Sequence, residues 1–327
     1  MQISSVGRGA GRRATVAAAY RAGERIRDER TGELHNYTRR RDVLHTEIFL
    51  PAQVDASAAA WARNRERLWN TAEHAEKRHN ARVAREYQVA LPPELNVAQR
   101  TTLARTFARE VAERYKVAVD LAVHDPRPDG DSRNFHAHLL TTTREVTPTG
   151  LGAKAGLDMA GRERRRRELP DHRQEYLTLR ERWATLTNEA LREANVEARI
   201  DHRSLAAQGI DREPLPKIPL MHLKMEQRGV RSELAEGLRA GYRERVQRRL
   251  ERSAHAANVP VSAPAATNAV AAASTQRDAT PLAQSNDLEE IRRQAREAWL
   301  RLRPKEAERA REQRQENIQG RDDDVAL

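Results

Sequence analysis

Two histidines in an apolar segment, His136 and His138, carry the clearest chemical signal in the sequence. Their segment, FHAHLLTTTR, is typical of a β-strand, and residues i and i+2 of a strand project from the same face of the sheet. His124 ends the preceding predicted strand, and a hairpin-like return would bring its ring beside the other two. Three neutral imidazoles on one face predict a divalent-metal site with open positions for water and a substrate oxygen. The alternative is a polar strand face, with His124 as an ordinary loop residue.

A three-histidine site without a carboxylate ligand suits Lewis-acid chemistry on a phosphate, which raises the question of a nucleophile. The chain has no cysteine, and none of its serines lies in a G-x-S-x-G context. Tyr20 lies in an Ala-rich predicted helix, with Arg21 and Arg25 following it. A tyrosine can act as a covalent nucleophile. On the residues alone, a packing or surface tyrosine is the alternative.

The charge balance predicts a polyanionic partner. The 327 residues include 59 Lys and Arg against 48 Asp and Glu, a formal net charge of +11. Basic side chains at phosphates release condensed counterions, so nucleic acid is the natural partner. The alternative is that the strong preference for Arg over Lys reflects genomic base composition, with most Arg paired to Glu on solvated helix faces.

Composition also excludes several classes of protein. The absence of cysteine excludes disulfides, thiol catalysis and Cys-ligated zinc. No stretch approaches 18 apolar residues, and the first residues have no apolar core of a signal peptide. We therefore expect a soluble, cytoplasmic protein without membrane insertion.

The elements that must position these residues follow from periodicity and breakers. Helices are predicted over 12–27, 56–80, 96–115 and 170–194, and strands over 43–50, 82–91, 116–124 and 135–146. The short loop between the last two strands predicts antiparallel neighbours. The fold class is thus α+β, an antiparallel sheet with packed helices. The predicted organisation is a catalytic core (1–155), a helical extension (156–252), an Ala/Pro/Ser-rich linker (253–287) and a charged helical or disordered tail (288–327).

Five blocks of the chain, in the same order, resemble the relaxase domain of the MobA/MobL (MobQ-type) conjugative mobilisation proteins. They are AAAYRAGERIRDERTGELHNYTRR, LWNTAEHAEKRHNARVAREYQVALPPEL, NFHAHLLTTTRE, TPTGLGAK and ARIDHRSLAAQGIDREP. The resemblance covers about residues 8–215, and these relaxases belong to the HUH endonucleases.

The resemblance implies an antiparallel sheet with helices on one side and the metal site on the other. It implies that His136 and His138 are the HUH pair, His124 the third metal ligand and Tyr20 the nucleophile. The implied reaction is cleavage of one strand of DNA at a plasmid transfer origin, giving a 5′-phosphotyrosyl adduct and a free 3′-OH, and its reversal. The implied cofactor is Mg²⁺ or Mn²⁺. The implied partners are single-stranded DNA, accessory mobilisation proteins and a type IV coupling protein.

Further residues receive roles by position. Glu86 is expected either to accept the tyrosine proton or to orient a His ligand, and Asp120 shares a strand face with His124. The residues expected to contact DNA are Arg21, Arg25, Tyr37, Arg39, Arg40 and Arg41, with Tyr37 stacking on a base. The helical region 162–220 is expected either to clamp the DNA strand or only to complete the core.

Two departures from the family pattern affect the prediction. Family members open with an additional strand, and we expect this chain to start too late to contain it. Either the start codon is misassigned, another element fills that sheet position, or the protein is a remnant with an exposed sheet edge. The connection between His124 and His136 is also longer than a tight turn. A non-catalytic DNA-binding or regulatory remnant of a relaxase is therefore the alternative function. A histidine-triad hydrolase is set aside because its third alternate position is Leu140 here, and a structural zinc module would leave Tyr20 unexplained.

Overall fold

The computed structural model describes residues 1–55, 57–127 and 130–258, which form two compact units, Met1–His202 and a second one from Arg203 onward. The strands of the first unit are β1 (Gln2–Gly7), β2 (Arg25–Arg27), β3 (Leu34–Asn36), β4 (Val43–Phe49), β5 (Arg82–Ala90), β6 (Val119–His124), β7 (His136–Thr142), β8 (Arg144–Thr147) and β9 (Gly150–Lys154). Its helices are α1 (Ala14–Ala22), α2 (Arg65–His74), α3 (Val97–Tyr115), α4 (Gly161–Arg166) and α5 (His172–Glu193). The second unit contains α6 (Leu220–Gln227) and α7 (Glu233–Asn258).

Five strands form an antiparallel sheet in the order β1-β5-β7-β6-β4. The strand β7 lies at the centre, paired with β5 on one side and β6 on the other. In the register of β6 with β7, His124 is directly opposite His136, and Ala122 is opposite His138. The longer connection between His124 and His136 therefore does not prevent a hairpin-type pairing. The fold class predicted from the sequence is confirmed.

Different helices pack on the two faces of the sheet. On one face, Leu121 and Leu139 pack in a core with Phe107 of α3 and Trp183 of α5. On the other face, a second core contains residues of α1 and α2, including Ala18 and Trp69, together with Leu140 of β7. Because side chains alternate along a strand, His136 and His138 project from the same face as Leu140. Helices therefore cover both faces, whereas the resemblance implied helices on the side opposite the metal site.

Local signals fix the ends of two helices, one on each face of the sheet. Helix α3 begins with a reciprocal capping box between Asn96 and Gln99. Helix α1 ends at Gly23, which has a left-handed φ of 66°. A Cβ at Gly23 would also lie 3.2 Å from the Cγ2 of Val43, so both the backbone and the space favour glycine. The left-handed conformation of Gly23 therefore ends the helix shortly after Tyr20 and Arg21.

Several predicted boundaries were wrong. The helix predicted over 12–27 ends at Ala22, and the polar segment after it forms the β2–β3 hairpin. Of the helix predicted over 56–80, the structure has a 3₁₀ turn at Ala60–Arg63 and α2. The strand predicted over 135–146 divides, because β7 ends at Thr142 and Arg144 begins the separate β8–β9 hairpin. Short polar elements lack the apolar periodicity that reveals a long helix or strand.

Of the alternatives for the first strand, the structure shows the second, with another element at that edge of the sheet. The strand β1 pairs antiparallel with β5, with Ser4 opposite Glu86, and occupies that edge of the sheet. Its alternation is weak, since Val6 is its one buried residue, and a half-exposed edge strand gives little signal in a sequence.

Helix α5 completes a core, which is the second of the two roles expected for the helical region. Leu179, Trp183, Leu186 and Leu191 are buried against the sheet face opposite the histidines. In the second unit, α7 continues to Asn258, beyond the expected end of the helical extension at 252. The remainder of the linker (253–287) and the tail (288–327) lie outside the described residues. Within the described parts of the chain, the helices are all too short or too polar to cross a membrane.

Candidate metal centre and active site

Three histidines meet where β6 ends and β7 begins. One ring nitrogen from each of His124, His136 and His138 lies within 4.8 Å of the other two. The ring centroids are 4.9 to 5.3 Å apart. His124 is buried, with 1% of its surface exposed, and the other two are half-buried. The donor set is close enough to share one ion and remains accessible from one side.

Each imidazole is held by a hydrogen-bond acceptor on its other nitrogen. The Nδ1 of His136 lies 2.8 Å from the Asn134 carbonyl oxygen, and the Nδ1 of His138 lies 2.7 Å from Glu86 Oε1. The Nε2 of His124 lies 2.7 Å from the carbonyl oxygen of Arg21. Because these oxygens only accept, the ring nitrogen donates in each case and leaves the remaining nitrogen to bind a metal. The residues present therefore fit a divalent ion.

Electrostatics also favour neutral, ligating imidazoles. Burial lowers the pKa of His124 to about 4; the hydrogen bond to the Arg21 carbonyl opposes this shift, and the nearby His138 and Arg40 add to it. Burial likewise lowers the pKa of His136. Both rings are therefore uncharged near neutral pH, which is the form that binds a metal ion.

Glu86 connects His138 of the three-histidine cluster to the helix that carries Tyr20. Its carboxylate accepts from His138, from Arg21 (Nε at 2.5 Å and Nη2 at 2.6 Å) and from the Ser4 hydroxyl at 3.3 Å. Burial alone would raise the pKa of Glu86, but the hydrogen bonds from His138 and Arg21 lower it to about 2. An ionised carboxylate with these donors is suited to orienting His138 and is a poor proton acceptor.

The Tyr20 side chain lies between basic and aromatic groups. Its hydroxyl oxygen accepts a hydrogen bond from Nη2 of Arg127 at 2.7 Å. The guanidinium of Arg40 lies 4.1 Å from the ring centroid, and the Tyr37 ring meets it edge-on at 5.3 Å. Arg40 Nη2 is also 3.5 Å from His124 Nδ1. Tyr20 and the three histidines therefore belong to one cluster of side chains.

The arginines expected to contact DNA divide into two groups. Arg21 is engaged by Glu86, and Arg40 by Asp42, so both are committed inside the protein. Arg25, Arg39 and Arg41 are exposed. These three exposed side chains are accessible to the phosphates of a DNA strand.

The carboxylate of Asp120 is engaged by side chains of α2. Its carboxylate accepts from Arg65 (Nε at 2.8 Å) and from Trp69 Nε1 at 2.9 Å, and it is 4% exposed. Asp120 shares the strand face of His124, but the side chains it contacts come from α2. Its role is to join α2 to the sheet.

Two residues in the site were missed by sequence reasoning. Arg127 follows β6 in the loop whose polar composition indicated only a turn. Asp42 holds Arg40 through a bond of 2.8 Å from Nε to Oδ1, and the Arg-x-Asp spacing was the available signal for that pair.

Comparison with known proteins places the chain in a family. The model of the MobA/MobL family matches residues 12–228, and the chain belongs to this family. It is 39% identical over 237 residues to the mobilization protein MobL of Acidithiobacillus ferridurans, covering 65% of this chain and 60% of that protein. It is 34% identical over 245 residues to a probable mobilization protein MobA of Bifidobacterium longum, covering 65% of this chain and 42% of that protein. The chain thus spans less than two thirds of the length of these relatives.

A solved structure has the same fold. It is described as the molecular basis of vancomycin resistance transfer in Staphylococcus aureus, and it aligns with a TM-score of 0.52 and 28% sequence identity. The alignment covers 62% of this chain and 97% of that chain. The similarity therefore extends over nearly all of the solved chain.

Proposed function

We propose that this protein is a relaxase, which nicks and rejoins one strand of DNA at a plasmid transfer origin during conjugative mobilisation. Membership of the MobA/MobL family and relatives named as mobilization proteins support the biological role. The observation that best supports this chemistry is that Tyr20 and Arg21 are consecutive residues of α1. Tyr20 supplies a phenol, and the carbonyl of Arg21 accepts the hydrogen bond that orients His124. The nucleophile and the metal ligands are thereby fixed to each other through one peptide unit.

A divalent ion held by His124, His136 and His138 would polarise the scissile phosphate and offset charge on its non-bridging oxygens. The Tyr20 phenol gives its proton to water, its oxygen forms a bond to phosphorus, and the bond from phosphorus to the 3′-oxygen breaks. The 3′-oxygen leaves and takes up a proton from water, while the 5′-phosphate remains on Tyr20. In the reverse reaction a 3′-hydroxyl attacks the phosphotyrosine and releases the phenol. Glu86 holds His138 and Arg21 throughout and need not change its protonation.

The DNA partner is single-stranded in this proposal, because the phosphate must reach a site on a sheet face beside Tyr20. Arg25, Arg39 and Arg41 would neutralise its backbone, and Tyr37 would offer a ring for stacking. Accessory mobilisation proteins and a type IV coupling protein are proposed as further partners. Acting on plasmid DNA, the protein would work in the cytoplasm.

The test is an adduct assay with single-stranded oligonucleotides tiled across the DNA that flanks the gene. Wild type with Mn²⁺ is expected to give a covalent protein–DNA adduct on a denaturing gel, and Y20F is expected to give none. Y242F, which alters a tyrosine of the second unit, is the matched control and should retain the adduct. DNA binding without any adduct would overturn the proposal in favour of a non-catalytic DNA-binding remnant.

A further inference from the structure

Two arginines hold Tyr20, and they differ in how their charge is compensated. Arg40 lies against the ring, donates through Nη1 to the Tyr20 carbonyl at 2.6 Å, and is paired with Asp42. Its charge is therefore largely neutralised within the protein. Its contacts fix where the ring lies and leave the hydroxyl free.

Arg127 contacts the reacting atom itself. Its Nη2 donates to the Tyr20 hydroxyl oxygen at 2.7 Å. Among the residues that the structure describes, no carboxylate forms an ion pair with Arg127, so its charge is directed at the phenol oxygen. A hydrogen bond from a cation strengthens as negative charge develops on the acceptor.

We propose that Arg127 is a catalytic residue that stabilises negative charge on the Tyr20 oxygen, a role that rests on the function proposed above. During cleavage, the phenol proton passes to water or hydroxide, the oxygen bonds to phosphorus, and the 3′-oxygen departs. During rejoining, the bond from phosphorus to the Tyr20 oxygen breaks, and the phenolate leaves against the Arg127 guanidinium. Preorganised donors aimed at developing charge supply large rate effects, because they need no rearrangement during the reaction.

The first measurement compares cleavage rates at saturating oligonucleotide for wild type, R127A and R133A. Arg133 lies in the same loop, is exposed and pairs with Asp131, so R133A removes an equal charge without touching Tyr20. R127A is expected to slow adduct formation about tenfold or more, the effect of one charge-assisted hydrogen bond, and R133A is expected to have little effect. Added guanidinium ions should restore part of the R127A rate. An R127A defect confined to DNA affinity, with a normal rate at saturation, would show a backbone contact and overturn the proposal.

The second measurement needs neither DNA nor metal. An aryl sulfonyl fluoride, which reacts with phenolate oxygen, is added to wild type and R127A, and labelling of Tyr20 and Tyr37 is quantified by peptide mass spectrometry. R127A should label Tyr20 about tenfold more slowly than wild type, with labelling of Tyr37 unaffected.

The two measurements separate the two proposals. A wild type that forms no adduct but labels Tyr20 faster than R127A would overturn the relaxase function alone. Equal Tyr20 labelling in wild type and R127A would overturn activation by Arg127, whether or not the wild type cleaves DNA. R127K, which retains a charge without the planar guanidinium, should fall between the two proteins and guards against a folding defect in R127A.

Discussion

The Nδ1 of His138 lies 2.7 Å from the Oε1 of Glu86, and the same carboxylate holds the guanidinium of Arg21. A buried carboxylate thus orients His138 on β7 and holds Arg21 near the C-terminal end of α1. Hydrogen-bond partners of this kind set the tautomer and direction of the imidazole.

E86A should therefore weaken metal binding about 10- to 100-fold. Loss of the Glu86 carboxylate frees the His138 ring to rotate and leaves Arg21 with only the Ala17 carbonyl as an acceptor. Calorimetric titration with Mn²⁺ measures the change, and E181A, at an exposed position of α5, is the matched control. In E86Q the amide oxygen can still accept from His138, so the loss should be smaller; an E86A affinity equal to that of wild type would exclude the orienting role.

Metal dependence should reside in the three histidines. H136A or H138A should abolish adduct formation while single-stranded DNA binding persists, and H79A, which removes an exposed histidine outside the cluster, should behave as wild type. Since all three donors are imidazole nitrogens, Mn²⁺ should support cleavage at lower concentration than Mg²⁺, which prefers oxygen ligands. Chelator treatment followed by titration of each ion, read on the adduct gel, tests both expectations. Full cleavage by chelator-treated protein without added ion would contradict them.

The ion pair of Asp120 should contribute to stability and leave the chemistry unaffected. D120N removes one of the two carboxylates that pair with the largely buried Arg65, the other being Glu24, so its cost should be smaller than the about 3–5 kcal/mol of a buried charge left without any partner. We expect a corresponding fall in the free energy of unfolding, measured by urea denaturation. At temperatures where D120N remains folded, its rate of adduct formation should match that of wild type; a selective loss of rate in a stable protein would restore a role for Asp120 at the metal site.

Affinity for DNA should depend on the exposed arginines near α1. The double variant R25A/R39A should weaken single-stranded DNA binding and lower the slope of log affinity against log salt by about 0.7 for each phosphate that is no longer neutralised. Fluorescence anisotropy over a series of salt concentrations measures both quantities. R173A, which removes an exposed arginine of α5, should leave the slope unchanged. A fall in affinity with the same slope would mean that these arginines do not contact phosphates.

Local patterns predicted much of the fold. The strands β5 and β6 and the helix α3 were evident because alternation and the Asn96 cap are properties of neighbouring residues. The histidine cluster was predictable for the same reason, since His136 and His138 alternate along one strand. The proposed roles of Tyr20 and the histidines remain predictions.

The side-chain contacts around Tyr20 could not be predicted from local sequence patterns. Arg127 and Glu86 reach residues of α1 that are distant in the sequence, and their contacts depend on how the helix lies on the sheet. Asp120 illustrates the complementary error. Alternation correctly gave its face, but four residues along a strand span about 13 Å, which separates Asp120 from His124, and the Asp120 carboxylate instead accepts from Arg65 and Trp69.

The hydrogen bond from His124 to residue 21 uses a main-chain oxygen, so it does not depend on which side chain residue 21 carries. Substitutions at this position can change the salt bridge to Glu86 without cutting the tether between the tyrosine's helix and the third histidine. The side chain at residue 21 can therefore change during evolution while the hydrogen bond that positions His124 is kept. In contrast, a proline in place of Gly23 or an insertion within α1 would displace the backbone. Either change would move the carbonyl oxygen to which His124 is bonded.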